Sequence, residues 1–219
     1  MFEIVDKEPG GTVIKVIGVG GAGGNAVDAA VATGFALAVT YPQAGNIGGG
    51  GFMLVHLNKA GRTVAIDYRE VAPRAARRDM FLDEKGEVVP QRSQLTHLAS
   101  GVPGSVAGLL HALERYGRLD RATVMAPAIE LAQSGFPVSY TLSSTLSSPW
   151  GQRLLANEAA KSYLFKPDGS AYQPGEILRQ PDLAWTLRQI AARGATGFYE
   201  GPVADRLVAE MERGGGLIT

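Results

Sequence analysis

Apolar positions recur at helical spacing along most of this chain and gather into short strand-length runs towards its beginning. Val13 to Val19 (V-I-K-V-I-G-V) is a β-branched run that predicts a strand. Val27, Ala30, Val31, Gly34, Leu37 and Ala38 then share one face at i, i+3, i+4 spacing, predicting a helix over Asn25–Leu37 with Asn25 as N-cap and Tyr41-Pro42 as its stop. Small side chains on that face let the helix approach a neighbour closely. Further on, Val106, Leu109, Leu110 and Leu113 mark a helix ended by Gly117. The next spans about Arg121 to Gln133 with Gly135 as stop, and Pro127 is expected near its start or at a kink. Asp182 is read as the cap of Leu183–Arg193, with Leu187 and Ile190 inward and Gly194 beyond. Pro202 opens a last helix striped by Val203, Leu207, Val208 and Met211 and closed by Gly214-Gly215-Gly216. These stripes are read as core, not as cofactor boxes. Pro73–Arg92, with a turn at Glu84–Glu87, and the serine-rich Thr141–Pro149 read as polar connections, and Leu95–Gly104 as a buried turn lined by small residues. There is no internal repeat.

The stretch Gly45–Ala72 organises the rest. A four-glycine run, Gly48 to Gly51, leads into Phe52-Met53-Leu54-Val55; Asn58-Lys59-Ala60-Gly61 turns the chain, and Thr63-Val64-Ala65-Ile66 returns. Two apolar runs about a short polar link predict a β-hairpin. Four glycines ahead of a strand are entropically costly, which points either to unusual φ/ψ or to a very close backbone approach. After the return strand come Asp67-Tyr68-Arg69-Glu70. An arginine at a strand end beside a glycine-lined space suits a carboxylate, because its planar fork donates two parallel hydrogen bonds. The competing reading is an Arg69 tied to Asp67, Glu70 or another local acid.

Composition narrows the chemistry. Lys+Arg and Asp+Glu both number 21 in 219 residues, so nothing suggests electrostatic capture of nucleic acid or of an acidic membrane. The absence of cysteine excludes disulfides, thiolate metal sites and a cysteine nucleophile. His56, His97 and His111 are too scattered for a zinc motif, so no metal and no cofactor is expected. No run of about 18 apolar residues predicts a membrane span. Met1–Glu8 lacks the basic-then-apolar order of a secretory signal, which taken as written points to the cytoplasm. No G-x-S-x-G elbow occurs. Gly18–Gly23 is a glycine-rich turn between strand and helix of the kind that wraps phosphates, but neither the acidic residue of a dinucleotide fold nor a Gly-Lys-Ser/Thr follows it.

Two resemblances add to this reading. Met1-Phe2-Glu3 together with V-I-K-V-I-G-V-G-G-A-G-G-N-A-V, over about residues 1–28, resembles the start of FtsZ, the bacterial tubulin-like cell-division GTPase. That resemblance would place Gly20, Gly21 and Gly23 at a nucleotide, yet its G-G-G-T-G-T-G phosphate loop is missing downstream. From Gly23 to Thr219 the chain resembles the N-terminal part of the large subunit of γ-glutamyltranspeptidases. The carriers are G-G-N-A-V-D-A-A-V-A (23–32), T-Y-P-Q-A-G-N-I-G-G-G-G-F-M (40–53), A-I-D-Y-R-E-V-A-P (65–73), H-L-A-S-G-V-P-G-S-V-A-G (97–108), G-F-Y-E-G (197–201) and G-G-G-L-I-T (214–219).

This second resemblance implies an α/β (α+β) fold: an incomplete αββα sandwich of the N-terminal-nucleophile hydrolase type, preceded by a glycine-rich strand-turn-helix. Residues 1–24 would be a foreign or chimeric segment and 25–219 a partial family domain. It implies that Arg69 holds the α-carboxylate of a γ-glutamyl group such as that of glutathione, while Glu70 orients the pocket. The family's freed N-terminal threonine attacks the γ-glutamyl amide and passes the acyl group to water or an amino acid. The chain is expected to end before that nucleophile and its oxyanion glycines, to be inactive alone, and to need a missing catalytic half or small subunit. The family's usual periplasmic or extracellular setting leaves the compartment open. The alternatives are a GTP-binding module and a non-catalytic remnant.

Overall fold

Helix α1, Gly23–Thr40, is the rod on which the fold is built. Val31, Phe35 and Val39 are fully buried along it, with Val27 and Ala38 beside them. The helix begins ahead of Asn25, which lies inside the first turn and is not the N-cap. Its buried stripe is also turned from the small-residue face: Phe35 and Val39 take the centre, because a Phe removes far more apolar area from water than Ala30 or Gly34. Gly34 still has a packing role, since a Cβ there would sit 3.0 Å from the Leu109 side chain. The computed structural model describes residues 3–4, 14–15 and 23–219. Ile14–Lys15 (β2) pairs antiparallel with Glu3–Ile4 (β1); the rest of the Val13–Val19 strand, with Gly20 and Gly21, lies outside the described residues.

After the single turn α2 (Arg92–Leu95), helices α3 (Ser105–Tyr116) and α4 (Arg121–Ser134) pack on α1, and α8 (Pro181–Arg193) packs on α4. Asp120 caps α4, its carboxylate accepting from the Thr123 N–H at 2.9 Å. Pro127 sits well inside α4, not near its start. It is tolerated there because it faces water, as does Thr123, whose carbonyl it leaves without a helical partner. Asp182 is likewise not the cap of α8: Pro181 occupies the first turn, and the preceding Gln180 is buried with its amide donating to the Val39 carbonyl at 2.7 Å. Buried Asp28 binds the end of α3 to α1, its carboxylate accepting from the N–H groups of Arg118 (2.8 Å) and Leu119 (3.3 Å).

Thr141–Pro149 is not a link but helix α5, Tyr140–Ser147, running into α6, Pro149–Gln152. Leu142 and Leu146, one turn apart, are buried, and Ser139 and Ser148 are the N-caps. Helix α7 (Glu158–Leu164) follows, and the short pair β5 (Phe136–Pro137) and β6 (Ile177–Leu178) brackets this excursion. Helices α9 (Thr196–Tyr199) and α10 (Pro202–Gly214) complete the chain, α10 ending at a left-handed Gly215. Arg206 of α10 lies 4.1 Å over the Trp185 ring of α8, a cation–π contact.

The predicted hairpin is present as β3 (Phe52–Leu57) and β4 (Arg62–Asp67), with a 3₁₀ turn at Asn58–Ala60 and left-handed Gly61. Val55 on the inner face is buried against the helices, while Phe52 and Leu54 on the outer face are 66% and 74% exposed. Among the described residues every sheet is a strand pair, so the αββα sandwich is represented by two-stranded pairs and a thick helical layer. No described helix is long and apolar enough to cross a membrane.

Candidate functional site: a glycine-walled pocket at the hairpin mouth

The two strands end together, Phe52 opposite Asp67, and the ladder runs one step further as the Tyr68 N–H donates to the Gly51 carbonyl at 3.0 Å. Immediately beyond, the backbone of Tyr68–Glu70 lies against the glycine run. A Cβ on Gly50 would stand 2.5 Å from the Tyr68 carbonyl oxygen and 2.7 Å from the Glu70 nitrogen. None of Gly48–Gly51 has a positive φ, so of the two reasons for the run, close backbone approach is the one that applies. The start of α3 presses in from the other side: a Cβ on Gly104 would lie 2.0 Å from the same Tyr68 carbonyl. The Tyr68 ring is sandwiched between Gly51 and Gly108, and burial pushes its phenol pKa up. The N–H groups of Gly104 and Ser105 both donate to the Gly49 carbonyl, at 2.8 and 2.9 Å, so the start of α3 is already satisfied by protein.

Arg69 and Glu70 emerge from this clamp into a pocket of about 500 Å³ lined by Asn46, Gly48, Gly49, Val71, Ala72, Ala99, Ser100 and Gly101. Asp67 does not hold the Arg69 guanidinium; its carboxylate accepts from the Arg69 backbone N–H at 3.0 Å. Among the described residues the guanidinium makes no ion pair and stands 5.8 Å from the centre of the Phe52 ring. Glu70 is wedged between two glycines, a Cβ on Gly49 falling 3.4 Å from its carboxylate and one on Gly101 3.0 Å from its Cβ. Leu95–Gly104 is the outer wall, not a buried turn: Leu95 is exposed, Ser100 and Gly101 half-buried, and only Pro103 buried. The wall is tied to the floor by antiparallel bridging of Val102 with Val71. Tyr199 of α9 braces it from behind, its hydroxyl donating to the Pro103 carbonyl at 2.8 Å and accepting from the Ala107 N–H at 3.2 Å.

The pocket residues beyond Arg69 and Glu70 carried a signal: Asn46, Gly48 and Gly49 fall in G-N-I-G-G-G-G, and Ala99, Ser100 and Gly101 in H-L-A-S-G-V-P-G. What is missing from the sequence is their adjacency. Gly23 opens α1, away from this pocket, and among the described residues no three His, Asp or Glu groups are placed to hold a metal ion.

Residues 18–219 match the protein family described as Gamma-glutamyltranspeptidase. The chain belongs to the γ-glutamyltranspeptidase family. The match begins ahead of Gly20, Gly21 and Gly23 and so takes in that glycine turn. The glutathione hydrolase proenzyme of Escherichia coli strain K12 is 49% identical over 197 residues, covering 90% of this chain and 34% of the relative. The proenzyme of the same description from Pseudomonas sp. strain A14 is 50% identical over 199 residues, with the same shares. The crystal structure of Helicobacter pylori γ-glutamyltranspeptidase superposes with a TM-score of 0.84 at 41% identity, covering 99% of this chain and 64% of that one. The chain thus spans about a third of the length of these curated γ-glutamyltranspeptidase relatives.

One ionised cluster borders the pocket wall. Glu210 of α10 receives the Arg213 guanidinium on both carboxylate oxygens and His97 at 2.8 Å. The Arg213 fork first, and His97 second, hold its carboxyl down from 4.5 to about 2. A depressed carboxylate contributes stability that is present above its unfolded pKa and lost as pH falls through the folded one. The urea midpoint is therefore expected to drop as pH is lowered from 4.5 towards 2. Glu210→Gln should flatten that drop; a variant that keeps it would contradict the assignment. The carboxylate is partly exposed, so solvent screening keeps the effect modest.

Proposed function

We propose that this chain is a large-subunit portion of a glutathione-hydrolysing γ-glutamyltranspeptidase, contributing the seat for the amino-acid end of a γ-glutamyl substrate. The observation that carries this reading is the Arg69 guanidinium, without an ion-pair partner among the described residues, at the lip of a glycine-walled pocket. A fork of donors there suits the α-carboxylate, and adjacent Glu70, a carboxylate with no guanidinium bound to it among the described residues, suits the neighbouring ammonium. Binding through Arg69 orients the substrate and breaks no bond. The attacking threonine hydroxyl and its oxyanion donors are assigned to the two-thirds of the relatives' length that these residues do not span, whether on the same polypeptide or on a small subunit.

L-glutamate titrated into the purified chain is expected to bind saturably, and Arg69→Ala to weaken it at least tenfold, about 1.4 kcal/mol. Arg69→Lys, a point charge without the fork, should fall between. The chain alone is expected to release no p-nitroaniline from γ-glutamyl-p-nitroanilide. Unchanged affinity in Arg69→Ala would overturn the assignment. The FtsZ-like wording of residues 1–28 offers a GTP reading of Gly20, Gly21 and Gly23; the family match from residue 18 favours taking these glycines as part of the γ-glutamyltranspeptidase unit.

A further inference from the structure

We propose that His97 is a positioning residue for this pocket, coupling helix α10 to the wall formed by Ala99, Ser100 and Gly101; the ligand it serves rests on the reading just given. His97 opens a 3₁₀ turn, His97–Ala99, that runs directly into the wall, and its carbonyl accepts the Ser100 N–H at 3.2 Å. The ring itself is fixed on several sides. One nitrogen meets Glu210 at 2.8 Å, and Glu210 is itself gripped by Arg213. The ring lies flat on Gly214, where a Cβ would stand 2.2 Å from its Cγ and Nδ1. Gly216 closes behind, its Cβ position 3.1 Å from the His97 Cβ. Glu210 and Arg213 are the charged groups that α10 presents to the imidazole.

The wall is therefore held at two points. At its far end Val102 bridges Val71, next to Glu70; at its near end the His97 ring is keyed into α10 and the glycines that follow it. Between these anchors Gly101 packs on the Glu70 Cβ. The Val71–Val102 bridge and the Tyr199 brace hold the wall from residue 102 onward; removing the ring takes away the anchor of its near end, and residues 97–101 can then swing away from Glu70 and Arg69. His97 is not among the pocket-lining residues, so it acts on a ligand through the wall and not by contact.

The test is nitrogen-resolved NMR of the whole chain, with L-glutamate as probe. The amide signals of Ser100 and Gly101 are expected to shift in His97→Ala and, by a smaller amount, in Glu210→Ala, which removes the partner of the ring nitrogen. His97→Ala should weaken L-glutamate about fivefold. His97→Gln, which keeps a donor directed at Glu210, should restore most of that loss. Amides of Ser100 and Gly101 that ignore both substitutions overturn the proposal, as does an affinity that His97→Ala leaves unchanged. Should His97→Ala fail to fold, Glu210→Ala and His97→Gln decide. If L-glutamate does not bind, or Arg69→Ala has no effect on it, the ligand assignment falls, while the amide signals still judge the coupling on their own.

Discussion

Gly104→Ala is expected to dismantle the pocket without altering any side chain that lines it. The added Cβ would lie 2.0 Å from the Tyr68 carbonyl oxygen, 2.9 Å from its carbon and 3.0 Å from the Arg69 oxygen. All three are backbone atoms, so no rotamer change relieves the overlap. Relief requires α3 to withdraw, which breaks the paired hydrogen bonds from Gly104 and Ser105 to the Gly49 carbonyl. Overpacking of this kind costs about 3 kcal/mol, and here at least as much because the obstruction is main chain. The expected result is a large fall in the urea midpoint together with lost L-glutamate binding. Gly86→Ala is the control: its φ of 82° makes Ala strained, but nothing lies within 4 Å of the new Cβ. A cost of about 1 kcal/mol and intact binding are expected there. Equal effects from the two substitutions would mean that conformational freedom, not proximity, is what Gly104 supplies.

Phe35→Ala is expected to produce the largest loss of stability among changes far from the pocket. Phe35 is 0% exposed at the middle of α1, packed within the core that α3, α4 and α8 share. Deleting a buried Phe side chain costs about 3–5 kcal/mol through lost transfer energy and the void left behind. That is a large part of the 5–15 kcal/mol that holds a typical domain folded. Chemical denaturation followed by circular dichroism would measure it, with Phe35→Leu expected to recover more than half. A loss under about 1 kcal/mol would show that the helices close over the gap.

The hairpin was legible because two apolar runs flanking Asn58–Gly61 leave the chain little else to form, and the pocket arginine because polar groups start abruptly at its end. Helix limits set by glycine, such as Gly117, Gly135, Gly194 and Gly215, were legible for the same reason: the stop is local chemistry. Other features depended on tertiary context. Helix α5 was hidden because its serines resemble a linker until Leu142 and Leu146 find a core. Gln180 displaced Asp182 from the start of α8 because the Val39 carbonyl needed a buried donor more than the helix needed a side-chain cap. The glycine run suggested two physical causes, and only the Tyr68 backbone lying against Gly50 chooses between them. His97 and Glu210 are 113 positions apart, and nothing along the chain announces their meeting.

A hollow whose outline is drawn by main-chain atoms behaves differently under change from one drawn by side chains. Gly50, Gly51, Gly101, Gly104 and Gly108 are each occupied to the limit by a neighbour, so the mould tolerates almost no revision. Arg69 and Ser100 line it without being pinned in that way. New ligand preferences can accordingly be written at those two positions at little expense to folding, while the casting around them stays as it is.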